Sequence, residues 1–225
     1  MNWENKKETI KKAVAEVMSG IPEGVLLVAA SKTRTTEEVL AAIEAGVTHV
    51  GHNYVQEAEK MIFEIGDKAR WHFIGHLQKN KAKKAARLFD MIETVDSLSL
   101  AVRLDRECAK LEKIMPVLVE VNSGREEAKA GALPENAEGL VKELSSLSHI
   151  RVQGLMTMGP LFGDPELARP YFVETKKIFD RLTDLSLPNV EMRFLSMGMS
   201  NSFQLAITQG TNIVRIGTRL FGPRH

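Results

Sequence analysis

Eight short apolar runs, each followed by a longer amphipathic stretch, recur along this chain, and no other feature restricts its fold so strongly. The runs fall at 25–30, 48–51, 71–74, 91–95, 116–121, 151–156, 192–195 and 212–216. Between them the spacing predicts helices over 36–45, 54–65, 82–89, 97–111, 134–147, 166–185 and 200–208, and an extra helix over 4–18 precedes the first run. Border signals agree: Thr36 stands before Glu37 and Glu38, Gly46 follows that segment, and Pro134 opens another. Runs that are apolar at nearly every position suit parallel strands covered on both faces. An open doubly wound sheet shares this periodicity. Eight strand–helix units favour closure, so the expected fold is α/β, a (β/α)8 barrel with an additional N-terminal helix. No linker or change of composition divides the 225 residues, and 1–225 is expected to form a single domain.

Composition narrows the function classes. Lys and Arg number 30 against 29 Asp and Glu, a net charge of +1, so no overall field draws the chain to nucleic acid or to a membrane. The most basic tract, Lys79-Asn80-Lys81-Ala82-Lys83-Lys84, lacks interleaved aromatic residues and reads as a solvated helix start. Cys108 is the single cysteine, which excludes an intrachain disulfide and suits a small core residue in a reducing compartment. The polar N-terminus is unlike a signal peptide, and no apolar run approaches the ~20 residues that span a bilayer. A cytoplasmic protein is expected.

Candidate chemistry lies at the ends of the runs. Val25-Leu26-Leu27-Val28-Ala29-Ala30 leads through Ser31 to Lys32, which would place a primary amine at the C-terminal rim of a barrel, where such folds carry their sites. After the seventh run, Ser196-Met197-Gly198-Met199-Ser200 supplies small residues, with Ser200 expected as N-cap of the next helix. The eighth run ends in Val214-Arg215-Ile216 and supplies Gly217 and Thr218 in the loop that follows. Loops seven and eight commonly hold a phosphate in barrels. An amine, a phosphate cradle and an arginine at one mouth suit pyridoxal 5'-phosphate held as a Schiff base. Arg215 at the pyridine nitrogen would keep that nitrogen unprotonated, because a guanidinium has donors only and does not yield its proton. A phosphosugar barrel without this cofactor is the competing reading of the same loops. His72 and His76 lack further ligands at metal spacing, so no metal is expected. His72 is a candidate acid or base, Tyr54 is expected to pack, and Tyr171 is weighed beside it as a base.

The motifs Ala30-Ser31-Lys32-Thr33, Asn53-Tyr54-Val55-Gln56-Glu57, Trp71-His72-Phe73-Ile74-Gly75, Leu77-Gln78, Asn80-Lys81, Gly154-Leu155-Met156, Ser196-Met197-Gly198-Met199-Ser200 and Val214-Arg215-Ile216-Gly217-Thr218 occur in order over nearly the whole chain. Together they resemble the YggS/PROSC family of pyridoxal phosphate homeostasis proteins, which is similar to the barrel domain of alanine racemase. The resemblance implies the cofactor on Lys32, its phosphate near Ser200, Gly217 and Thr218, Arg215 at the ring nitrogen, and Asn53 and Met156 lining the ring pocket; Ser196 and Gly198 are expected among the cofactor-binding residues. It implies storage, protection or delivery of the cofactor with little or no catalysis, apo-enzymes as recipients, and a monomer. The alternative is a pyridoxal phosphate-dependent amino-acid racemase, for which no second base is evident. The chain departs from the family pattern at His52, in place of an acid beside Asn53, and at Ala130.

Overall fold

The computed structural model describes residues 2–160 and 163–223. Eight strands, β1 (Leu26–Ala30), β2 (His49–His52), β3 (Arg70–Phe73), β4 (Met91–Val95), β5 (Met115–Val121), β6 (Ile150–Thr157), β7 (Val190–Ser196) and β8 (Ile213–Ile216), close into a parallel barrel in sequence order. Closure is made by β8 on β1, with Val28 opposite Arg215 and Ala29 opposite Ile216. The helices are α1 (Trp3–Ser19), α2 (Thr36–Glu44), α3 (Val55–Ile65), α4 (Ala82–Leu88), α5 (Leu98–Ala109), α6 (Pro134–Leu144), α7 (Arg169–Thr183), α8 (Phe203–Thr208) and α9 (Thr218–Phe221). The expected (β/α)8 barrel is therefore the fold, and the extra N-terminal helix is α1.

Two apolar layers hold it. The larger lies between strands and helices and takes in Val39, Val50, Phe73, Phe89, Leu104, Val119, Val141 and Phe172. A smaller cluster of Val28, Met91, Leu118, Met156 and Ile213 fills the barrel interior. Strand side chains alternate between faces, so Glu93, Glu120 and Arg215, each two residues beyond a member of that cluster, point into the barrel one layer nearer the C-terminal rim. The apolar stripe Ile10, Val14 and Val17 seats α1, which packs on α2 and α9.

Several expectations change in detail. Thr35, not Thr36, caps α2: its hydroxyl accepts from Glu38 N–H while the Glu38 carboxylate accepts from Thr35 N–H, a reciprocal box. The 166–185 helix opens as a 3₁₀ turn, Pro165–Ala168, before α7. Lys79–Lys81 form a 3₁₀ turn ahead of α4. Cys108 is fully buried on α5, as expected, and burial pushes its thiol up to about 11.

Candidate functional site

The C-terminal rim gathers the residues singled out above. β1 ends at Ala30, and Ser31 N–H bonds Gly51 O across to β2, so Lys32 begins the loop at the rim. Thr33, directly after it, has φ of 65°, a left-handed conformation that costs a β-branched residue energy. Arg34 N–H closes the turn onto Ser31 O. Among the described residues the Lys32 ammonium has no carboxylate or carbonyl partner; it lies 4.9 Å from the centre of the Tyr54 ring. Tyr54 does not pack as expected. It is 44% exposed and stands beside the amine.

Lys32, Asn53, Tyr54, Gln56, Gly75, His76, Gln78 and Lys81 line a cleft of about 530 Å³ with Val55, Phe73 and Leu77. Gly75 is required there: a Cβ on it would lie 2.3 Å from Asn53 O. Thr94 Oγ1 donates to Gly75 O at 2.6 Å and pins this approach.

Across the β8–β1 seam lies the second group. Arg215 is buried at 4% exposure, and its guanidinium donates to Ser196 Oγ and, at 2.9 Å, to Thr157 O. Ser196 Oγ donates in turn to Glu93 Oε2 at 2.7 Å, and Glu93 Oε1 meets His72 Nδ1 at 2.6 Å. This chain joins β8, β7, β4 and β3 through the barrel. Burial alone would raise the Glu93 carboxyl, but the hydrogen bond and charge of His72, with Arg215 nearby, hold it below its ordinary range. Met156 sits beside the chain, paired with Ser196 in the β6–β7 register. Glu120 is 3% exposed, and its Oε2 has no hydrogen-bond partner. Burial, and then the Asp96 carboxylate, push its carboxyl up to about 7 against the pull of Arg215.

Ser200 is not the N-cap of α8, which starts at Phe203 with Ser202 in the cap position. Gly198, with φ of 88°, turns the chain tightly, because a Cβ there would lie 2.6 Å from Ala206 Cβ. That turn sends the Ser200 hydroxyl toward β8 instead, where it accepts from Gly217 N–H at 3.3 Å and Arg219 N–H at 3.4 Å. Ser200, Gly217 and exposed Thr218 thus meet at the start of α9, an element too short to show in sequence periodicity. Gly217 also stands against strand one: a Cβ on it would lie 3.1 Å from Ala30 O. The cleft holds Lys32 and Asn53 but not Ser200, Gly217 or Thr218; adjacency of β1 and β8 sets the two groups side by side.

Other expectations resolve more simply. His52 points outward, is buried, and accepts Tyr54 N–H at 3.1 Å, so it shapes the turn after β2; burial holds it down near 4. His76 lies on the surface, 3.6 Å from Asp96. Glu93, Glu120 and Thr157 were missed. The two acids stand alone in apolar strands, and that oddity was the available signal.

Comparison with known proteins places this architecture. Residues 7–225 match the model of the alanine racemase N-terminal domain. The chain belongs to this family. Within the family it is 35% identical over 229 residues to the pyridoxal phosphate homeostasis protein of Pasteurella multocida, covering 96% of this chain and 98% of that one. It is 40% identical over 199 residues to the protein of the same name from Aquifex aeolicus, covering 88% and 86%. Among solved structures, PipY of Synechococcus elongatus PCC7942 with PLP bound superposes with a TM-score of 0.86 at 34% identity, over 95% of this chain and 100% of that one. Alanine racemase of Clostridium difficile 630 gives a TM-score of 0.80 at 16% identity, over 96% of this chain and 56% of that one, a likeness of fold alone. The resemblance drawn from the motifs is thus borne out, and both of these curated relatives are named for pyridoxal phosphate homeostasis.

Proposed function

We propose that this chain is one pyridoxal 5'-phosphate-binding barrel that stores, protects or delivers the cofactor, holding it covalently through Lys32. The observation that carries the reading is the Lys32 amine, without an ionic partner among the described residues, at the end of the strand that pairs with β8, whose end leads into Gly217 and Thr218. When bound, the cofactor supplies an aldehyde that condenses with a primary amine. The residues fit such a group. Ser200 and Thr218 offer hydroxyl groups to a phosphate, and the Ser200 hydroxyl is held at the start of α9 by the Gly217 and Arg219 N–H groups. Gly198 turns the loop that carries Ser200, and Asn53 and Met156 border the ring space. Arg215 has engaged two of its five N–H donors, leaving others for a ring acceptor, and Ser196 fixes its direction. A guanidinium there does not lend a proton, which weakens the ring as an electron sink, disfavours general carbanion chemistry such as transamination, and leaves a carrier or a racemase-type site. Delivery, in particular, would have apo-enzymes as recipients.

Saturating the protein with pyridoxal phosphate should give a visible absorbance band, and borohydride should fix the label on Lys32 in a peptide map. Lys32→Ala should lose the covalent label while keeping weak binding through the phosphate contacts. A label of equal yield in Lys32→Ala would overturn the assignment. For the racemase alternative, L-alanine in deuterated solvent should show no exchange at Cα above the protein-free control; rapid exchange would make this chain an enzyme.

A further inference from the structure

The cleft beside Lys32 is lined by positive charge. Lys32 and Lys81 both line it, and no carboxylate does. Several lysines elsewhere are matched with acids, as in Lys6–Glu38, Lys84–Glu59, Lys129–Glu126 and Lys176–Asp180. Lys81 is half-buried, and among the described residues its ammonium has no such partner. The remaining polar side chains of the cleft, Asn53, Tyr54, Gln56, His76 and Gln78, bring amide, phenol and imidazole groups. Asp96, the nearest acid to His76, lies outside the lining. A recess with two uncompensated ammonium groups and several neutral donors favours an anion.

The anion's chemistry follows from its neighbour. Once the Lys32 nitrogen is committed to the cofactor, Lys81 is the remaining lysine in the recess. The phosphate contacts lie elsewhere, at the start of α9. A single ammonium in a recess that also presents side-chain amides matches a monoanionic carboxylate, and the groups that compete with Lys32 for an aldehyde are amines. We propose that the cleft is an entry site for small α-amino acids, whose carboxylate pairs with Lys81 while their amine faces Lys32. The inference rests on Lys32 being the cofactor's anchor and names what approaches it.

Two measurements test it. In the cofactor-free protein, L-lactate, which has the carboxylate but no amine, should slow reductive methylation of Lys81 several-fold by mass-spectrometric mapping, with Lys84 unchanged. In the loaded protein, L-alanine should perturb the visible band at a concentration about tenfold lower, relative to L-alaninamide, than it does in Lys81→Met, the size expected of a charge-assisted contact. Lys81→Arg should restore the preference. The proposal is overturned if Lys81→Met keeps the wild-type ratio of alanine to alaninamide, or if lactate leaves Lys81 methylation unchanged. A protein that shows no visible band before any amine is added refutes the Lys32 reading instead, and the lactate measurement stands without it.

Discussion

Glu120 illustrates what one inward acid does to a barrel. Its carboxyl is held near 7 by burial, against an ordinary value of 4.5. Between pH 4.5 and 7 the folded protein therefore keeps a proton that the unfolded chain has released, and stability falls as pH rises through that window. The ceiling on this effect is about 3 kcal/mol. Glu120→Gln should remove it, so that the variant gains up to that amount on wild type at pH 8 and nothing at pH 4. The comparison has to be made as a difference in urea unfolding between the two proteins. Burial holds His49 and His52 near 4, and they act in the opposite sense, losing stability as pH falls below 6.5. A difference that does not change between pH 4 and pH 8 would show that the Glu120 carboxyl is not raised.

At the scale of an element, α9 depends on its ends. Its start receives the Ser200 hydroxyl, and just past its end the Arg34 guanidinium donates to the carbonyls of Phe221, Gly222 and Pro223. Arg34→Met should free those carbonyls, loosen the helix and blur the N–H groups at its start. Pyridoxal phosphate binding should weaken about tenfold while pyridoxal, which lacks the phosphate, is unaffected. Equal losses for both ligands in a calorimetric titration would place the effect of Arg34 elsewhere. Elements of this length also mark the limit of what could be read in advance. The barrel was legible because strands such as β1 and β5 are apolar along most of their length, Lys32 and Gly217 because they stand where such runs stop, and Arg215 because it is the lone charge inside β8. The turn at Gly198 was not, since the choice between Ser200 and Ser202 as cap depends on a backbone reversal against Ala206. The link from Ser196 to Glu93 joins residues 103 positions apart, and only the closed ring brings them together.

For the whole molecule, α1 is the one helix outside the repeat, yet it is built into the shell. Its stripe is buried, and Lys6, Lys7 and Lys11 pair with Glu38 and Glu44 of α2 while Glu16 meets Arg219 of α9. The pairs made by Glu44 and Glu16 lie at the surface and are each worth about 1 kcal/mol or less, so the stripe dominates. Val14→Ala should cost about 1–3 kcal/mol in denaturant unfolding, and charge reversal at Lys7 much less. A Lys7→Glu loss equal to that of Val14→Ala would mean that charge, not packing, seats the helix.

The buried chain from His72 through Glu93 and Ser196 to Arg215 acts as a cross-brace spanning the cylinder. Cutting one member strands an ionised neighbour where water does not reach to rescue it. Anyone transplanting this mouth onto another barrel would have to move all four side chains as a set, and a single conservative-looking exchange, such as Arg215→Met, should do more harm than exchanging the whole set for hydrocarbon.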